Sequence, residues 1–238
     1  MGPELAVVVP TRSRPHNIQA ILEAWEDTDA FGYASLWFAV DADDMLIDQY
    51  QAALRGWRPA MPGWPGAQMI TLPEWMPLVP KLNFVASGFA RDGDHRYIAF
   101  MGDDHIPRTC GWARKLIEDH GRNPNWIWYG RDGFQDQNLP TWWSMDAEIV
   151  RRLDGRMVPA PVQHLYCDNA VKALGTAAGC LGYDETVLVE HMHPFFGKAK
   201  VDDQYVRVNR TQQYERDGQL FRSWVADGLE RDAKLLRA

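Results

Sequence analysis

YIAFMGDDHIP, residues 97–107, decides how the rest of the chain is read. An apolar run of aromatic and β-branched residues stops abruptly at two carboxylates and a histidine. Residues 97–101 therefore predict a short buried strand with a turn behind it. In an open α/β sheet, ligands bind just beyond the carboxyl ends of the strands. Oxygen and imidazole donors at such a place suit a divalent cation such as Mn2+ or Mg2+, and a cation there would bridge the phosphates of a nucleotide. A strand followed by a ligand-free, Asp-rich turn fits the same stretch.

Upstream, residues 5–9 (LAVVV) form an all-apolar strand, as expected of one covered on both faces. PTRSRP (residues 10–15) breaks it, with Pro15 suited to the first turn of a helix. Ile18, Ile21, Leu22 and Trp25 then recur at helical spacing. Residues 35–40 predict a second strand that ends in Asp41, Asp43 and Asp44, followed by a helix over 45–54. A Pro-, Gly- and Trp-dense loop covers 55–66, a third strand 68–72 and a helix 81–90. Downstream, Trp112, Leu116 and Ile117 mark a helix with Gly121 as its stop, and 126–129 predict a strand. This alternation predicts an α/β fold, a mostly parallel sheet with helices on both faces.

The character changes after about residue 130. Residues 131–144 are polar and aromatic, ending in PTWWS, and helices follow at 146–153 and 168–178. An apolar strand over 186–189 runs into EHMHP, and 195–203 reads as a mobile loop with two lysines. From residue 204 onward a charged amphipathic helix is expected, with Phe221, Val225, Leu229, Ala233 and Leu236 on one face. That face would pack on the body or on a second subunit, making a homodimer.

At 238 residues the chain suits one large domain with a C-terminal extension. A net charge of −7 argues against a general nucleic-acid binder, which needs a broad basic surface. The three cysteines show neither a CxxC zinc pattern nor a secreted-disulfide framework, so a reduced, cytoplasmic setting is expected. No apolar run approaches the ~20 residues of a membrane span, and residues 5–9 are too short for a secretion signal.

Four separated pieces resemble the GT-A glycosyltransferases, in particular the family-2-like inverting enzymes. VVVPTRSRP (7–15) resembles their opening strand and nucleotide-binding turn. FMGDDHIP (100–107) resembles the segment carrying the DxD motif. CDNAVKALGTAAGCLGY (167–183) resembles the "EDxDL…R…AGY" segment, and VLVEHMHP (187–194) the late strand ending in histidine. The pieces occur in the family's order. Two departures stand out: the first Asp of DxD falls on Gly102, and Cys167 stands where Glu is frequent.

The resemblance implies a GT-A (Rossmann-like) domain over 1–203, with a donor half over about 1–105 and an acceptor half over 106–203, plus a helical extension over 204–238. It implies metal-dependent transfer of a sugar from a nucleoside diphosphate sugar, UDP by default, to a glycan or other hydroxyl-bearing acceptor. Metal ligands would be Asp104 with His105 or His193; a DxH register with Asp103 and His105 is the alternative. His191 and His193 alternate along an extended segment, so one faces the site, and Pro194 favours His193. Asp168 is the candidate general base, or a plain helix cap.

Pro10, Thr11, Arg12, Arg14, Asp41, Lys81 and Asp103 resemble donor-nucleotide contacts, with Arg14 and Lys81 equally readable as surface charges. Lys198 and Lys200 would close over the diphosphate or form a solvated charge run. Trp142, Trp143 and Asp146 fall on the acceptor side. Rival readings are a sugar nucleotidyltransferase, against which the glycine-free turn after the first strand counts, and a non-catalytic nucleotide- or carbohydrate-binding relative. A hydroxymethylated DNA base is a disfavoured acceptor.

Overall fold

The computed structural model describes residues 3–57 and 66–237; most of the Pro/Gly/Trp loop expected at 55–66 lies outside the described residues. The chain runs β1 (Leu5–Thr11), α1 (Asn17–Asp27), β2 (Ala34–Asp41), α2 (Ile47–Gly56), β3 (Ala67–Leu72), α3 (Leu78–Asp92) and β4 (Tyr97–Phe100). It continues with β5 (His105–Pro107), α4 (Trp112–Arg122), β6 (Ile127–Arg131), β7 (Trp143–Asp146), α5 (Ala147–Arg152), α6 (Cys167–Ala178) and β8 (Leu181–His191). Three helices close it: α7 (Asp203–Val208), α8 (Thr211–Asp227) and α9 (Leu229–Arg237).

The strands form one mixed sheet in the order β3-β2-β1-β4-β7-β6-β8-β5. β1 pairs in parallel with β2 on one side and β4 on the other. The winding therefore reverses at β1, leaving a crevice at the carboxyl ends of β1 and β4, the usual ligand place in such sheets. The sheet is mostly parallel, but β7 runs antiparallel to both β4 and β6, and β5 antiparallel to β8.

Period-2 alternation divides β1 between two cores. Ala6 and Val8 face the layer built by α3, α5 and α6, whereas Leu5, Val7 and Val9 face the layer built by α1, α2 and α4. This double burial explains why β1 has no polar residue before its end.

Several sequence expectations are corrected here. β5 and β7 were not anticipated: β5 has three residues, too few for a periodic signal, and β7 lies within the polar-aromatic stretch. Gly121 does not stop α4, which runs on to Arg122. Residues 195–203 lead into α7, whose N-cap Asp202 accepts from the Tyr205 N–H at 2.7 Å. The single C-terminal helix is three helices. At Gly228 a Cβ would lie 2.6 Å from the Trp224 indole, so only glycine lets the chain turn over that ring between α8 and α9. Trp224, Ala233 and Leu236 are buried against the body, but Val225 is exposed. That apolar face is covered within the chain, by α6 above all.

Candidate active site

A cleft of about 280 Å³ opens at the carboxyl ends of β1 and β4. Its floor is the turn after β1 and the Gly102-Asp103-Asp104 turn after β4. The start of α6 supplies one wall, the end of β8 another, and α7 lies across it.

The acidic turn is drawn together by β5. Antiparallel pairing sets His105 opposite His191, and their rings stack with centroids 4.2 Å apart. Asp104 joins them: its Oδ1 lies 3.1 Å from His105 Nδ1 and its Oδ2 3.5 Å from His191 Nε2. One ligand atom from each of these three residues lies within 4.8 Å of the others. Burial alone would raise the Asp104 carboxyl, but His105 and His191 hold it well below the ordinary value. Burial, then His191, pushes the His105 imidazole down. An ionised carboxylate and a neutral imidazole are the states a divalent ion requires, and two imidazoles with one carboxylate suit a first-row divalent ion, Mn2+ among them, better than all-oxygen Mg2+.

This geometry differs from expectation at two points. His191, not His193, joins Asp104 and His105, because the β5–β8 register places residue 191 across from residue 105. His193 stands edge-on to the His191 ring at 4.9 Å, and its Nδ1 accepts from the Phe195 N–H. Asp103 is engaged elsewhere, accepting from the Thr11 hydroxyl at 2.7 Å and from Arg14 at 2.9 Å. Gly102, where DxD has its first Asp, is a close approach: a Cβ would sit 2.6 Å from Asp104 Oδ1 and 2.7 Å from His105 Nδ1. An Asp there would push the other two donors apart.

Arg14 is held from two sides, by Asp103 and by a two-pronged contact to Asp202 at 2.6 and 2.8 Å. Burial opposes its charge, but those two carboxylates raise its pKa all the same. Arg12 reaches Asp41 at 3.0 Å and Asp43 at 2.8 Å, and Lys81 reaches Asp41 at 2.8 Å. Lys81 is buried, not a surface charge, and burial lowers its pKa. Asp41 is wholly buried behind these cations; it orients Arg12 and Lys81 and has no face left for a nucleotide. Pro10, Thr11, Arg12, Arg14, Lys81 and Asp103 all line the cleft.

Asp168 lies in the first turn of α6, also on the cleft wall. Its Oδ1 accepts from the Asn169 N–H at 2.8 Å. Burial raises its carboxyl above the ordinary value, outweighing the N–H groups at the helix start. A carboxylate raised in this way is a stronger base.

The acceptor-side aromatic residues do not reach the cleft. Trp142 and Trp143 are completely buried. Trp142 packs in the core layer of α1 and α4, and Trp143 lies against Phe100 at 4.5 Å. Neither ring has a face open to a sugar. Asp146 is buried and caps α5 by accepting from the Glu148 N–H. Lys198 pairs with Glu190 at 2.8 Å and lines a second cavity of about 550 Å³ that shares Asp103 and Asp104 with the cleft. Lys200 is exposed and lines neither cavity.

Sequence reading weighed His191 but favoured His193, and it passed over Asp132, Thr141 and Asp202. Asp132 is 1% exposed and lies behind both histidines. The Asp132-Gly133 dipeptide is a turn signal, but nothing local connects it to residues 105 and 191.

The sheet order and the cleft at the β1/β4 reversal make this a mixed α/β fold of GT-A-like type. The mannosyltransferase PcManGT of Pyrobaculum calidifontis, solved with GDP-Man and Mn2+, superposes with a TM-score of 0.65 at 13% identity, over 99% of this chain and 73% of that one. S. aureus TarS 1-349 gives a TM-score of 0.55 at 9% identity, over 98% and 89%. A predicted nucleotide-diphospho-sugar transferase of Desulfovibrio desulfuricans G20 gives 0.50 at 10%, over 93% and 98%. At these identities the likeness is one of fold. No protein-family model matches the sequence, and no curated protein matches it.

Proposed function

We propose that this chain is a metal-dependent glycosyltransferase that moves a sugar from a nucleoside diphosphate sugar to an acceptor hydroxyl with inversion. The observation that carries this reading is one cleft holding Asp104, His105 and His191 together with Arg14 and Asp168. The likeness to a fold that holds GDP-Man and Mn2+ in PcManGT supports it.

In this reading Asp104, His105 and His191 hold a Mn2+ or Mg2+ ion, which supplies Lewis-acid neutralisation of diphosphate charge when bound. Arg14 binds a phosphate oxygen once Asp202 gives way, and Lys81 and Arg12 bind the nucleoside end. Asp168 takes the proton of the acceptor hydroxyl. That oxygen bonds to the anomeric carbon from the face opposite the leaving group, while the bond from carbon to diphosphate oxygen breaks and its electron pair departs with the diphosphate. Residues 1–203 make up the transferase domain, and 204–238 are an extension that closes the cleft from above. Among the described residues no helix is long and apolar enough to cross a membrane.

A thermal-shift panel of nucleotide sugars with and without Mn2+ tests the reading, since a ligand selective for the native state raises apparent stability. Stabilisation by a nucleoside diphosphate sugar that depends on Mn2+ is expected. Pyrophosphate release from a nucleoside triphosphate plus a sugar phosphate would instead identify a nucleotidyltransferase. Asp168→Asn should cut transfer about a thousandfold and leave donor-induced stabilisation intact; near-normal turnover would remove Asp168 from the mechanism.

A further inference from the structure

We propose that Asp132 is a positioning residue that fixes the tautomer and orientation of both histidines facing Asp104; the inference rests on the metal-binding reading above. The argument follows hydrogen atoms through one chain of contacts. Asp132 Oδ1 accepts three backbone N–H groups, from Phe134 at 2.8 Å, Gln135 at 2.6 Å and Asp136 at 2.9 Å. Its Oδ2 accepts the Thr141 hydroxyl at 2.9 Å.

Thr141 has one hydroxyl hydrogen, and Asp132 takes it. Toward His105 Nε2, 3.4 Å away, the Thr141 oxygen is therefore an acceptor, and Nε2 carries the ring proton. His105 Nδ1 then presents a lone pair. It accepts the Gly102 N–H at 3.1 Å and faces Asp104 Oδ1 at 3.1 Å. That N–H marks Nδ1 as the unprotonated nitrogen, and an ion bound there would take this lone pair in place of the Gly102 N–H.

His191 is governed from the same carboxylate. Its Nδ1 lies 4.0 Å from Asp132 Oδ2 and, buried, has no hydrogen-bond partner among the described residues. When Nε2 faces an ion shared with Asp104 Oδ2, 3.5 Å away, the ring proton sits on Nδ1, where Asp132 Oδ2 is the carboxylate that faces it. The backbone adds to the clamp, since the His191 N–H donates to the Asp132 carbonyl at 2.9 Å. One buried carboxylate thus stands behind two imidazoles, through a hydroxyl to the first and across 4.0 Å to the second. Outer contacts of this kind set ligand basicity and ring orientation.

The test is calorimetric titration of Mn2+ into the metal-free chain and two variants, with pulsed electron-spin-echo detection of imidazole nitrogen on the bound ion. Asp132→Asn keeps an oxygen for the three turn N–H groups but offers NH2 to Thr141. The hydroxyl proton then turns to His105 Nε2 and the ring proton moves to Nδ1, which closes that ligand. Mn2+ affinity should fall about 10–100-fold, with a weaker imidazole nitrogen signal. Thr141→Val leaves the turn intact and removes only the relay to His105, so a smaller loss, roughly tenfold, is expected. A purely structural role would lower the melting temperature of the metal-free variants without changing Mn2+ affinity.

Wild-type Mn2+ affinity in Asp132→Asn overturns the proposal. If that variant does not fold, unchanged affinity in Thr141→Val does the same. Failure of the wild-type chain to bind Mn2+ removes the metal-binding reading, and this inference with it.

Discussion

His120 lies on α4 with its ring stacked on Tyr97, centroids 4.4 Å apart, and its Nε2 2.7 Å from the Ser144 hydroxyl. Burial, then the charge of Arg96, pushes its pKa down to about 3, against about 6.5 in an unfolded chain. Between those values the unfolded chain binds a proton that the folded chain refuses. The contribution of His120 to stability is therefore complete above pH 6.5 and is lost as pH falls, at up to about 1.4 kcal/mol per pH unit. His120→Gln keeps a partner for Ser144 and removes the titration. Urea unfolding of both proteins at several pH values from 7 to 4 should give the variant a shallower acid slope by about one proton; identical slopes would show that His120 is protonated in the fold. At this scale the sequence was legible where chemistry follows from position in a strand or turn. Arg14, Lys81, Asp104 and Asp168 all reach the cleft. It was illegible where a partner decides: Asp41 faces cations from two other elements, and the Trp142–Trp143 pair is core.

Short elements account for most of what sequence reading missed. β5 has three residues and no pattern of its own, yet its register with β8 decides which histidine meets Asp104. α7 has six, and it lies over the cleft by contacts to both lips. Tyr205 stands edge-on to His193 at 5.4 Å, Arg207 lies over the Trp75 ring at 5.3 Å, and Asp202 occupies Arg14. An anionic side chain on the arginine best placed for a phosphate competes with the ligand for the same charge. Asp202→Asn keeps a good N-cap for α7 and removes the competing carboxylate. Because the pair is partly solvent-exposed, the gain should be modest, about 1 kcal/mol or roughly fivefold tighter binding of a nucleoside diphosphate. Calorimetric titration reads this directly. Weaker binding in the variant would mean that Asp202 holds Arg14 in place for the ligand rather than against it.

Over the whole molecule, the alternation of strands and helices was legible through most of the first 130 residues, because β1, β2 and β4 are buried on both faces and the helices between them carry apolar stripes, whereas three-residue β5 gave no signal. The C-terminal part was less legible. Its stripe was visible, but not the breaks at Asn209 and Gly228, nor that its most consequential residue is polar. Asp217, fully buried on α8, accepts the consecutive backbone N–H groups of Gln163, His164 and Leu165 at 3.1, 2.9 and 2.9 Å, and the Gln213 amide at 2.8 Å. Burial opposes its charge, but those donors bring its pKa below the ordinary value. The loop it grips runs directly into Tyr166, in the left-handed region at φ 65°, and then into α6 with Asp168. The extension is therefore a structural part of the wall that holds the candidate base. Asp217→Ala leaves three N–H groups without their acceptor and should cost about 3 kcal/mol, a large share of the stability of a domain this size. Urea unfolding checks the stability, and an activity assay on the folded variant should show turnover falling while affinity for a nucleoside diphosphate sugar, proposed to rest on the opposite side of the cleft, stays near wild type. A loss below about 1 kcal/mol, in the range of an ordinary surface contact, would mean that water replaces the carboxylate and that α6 holds its own start.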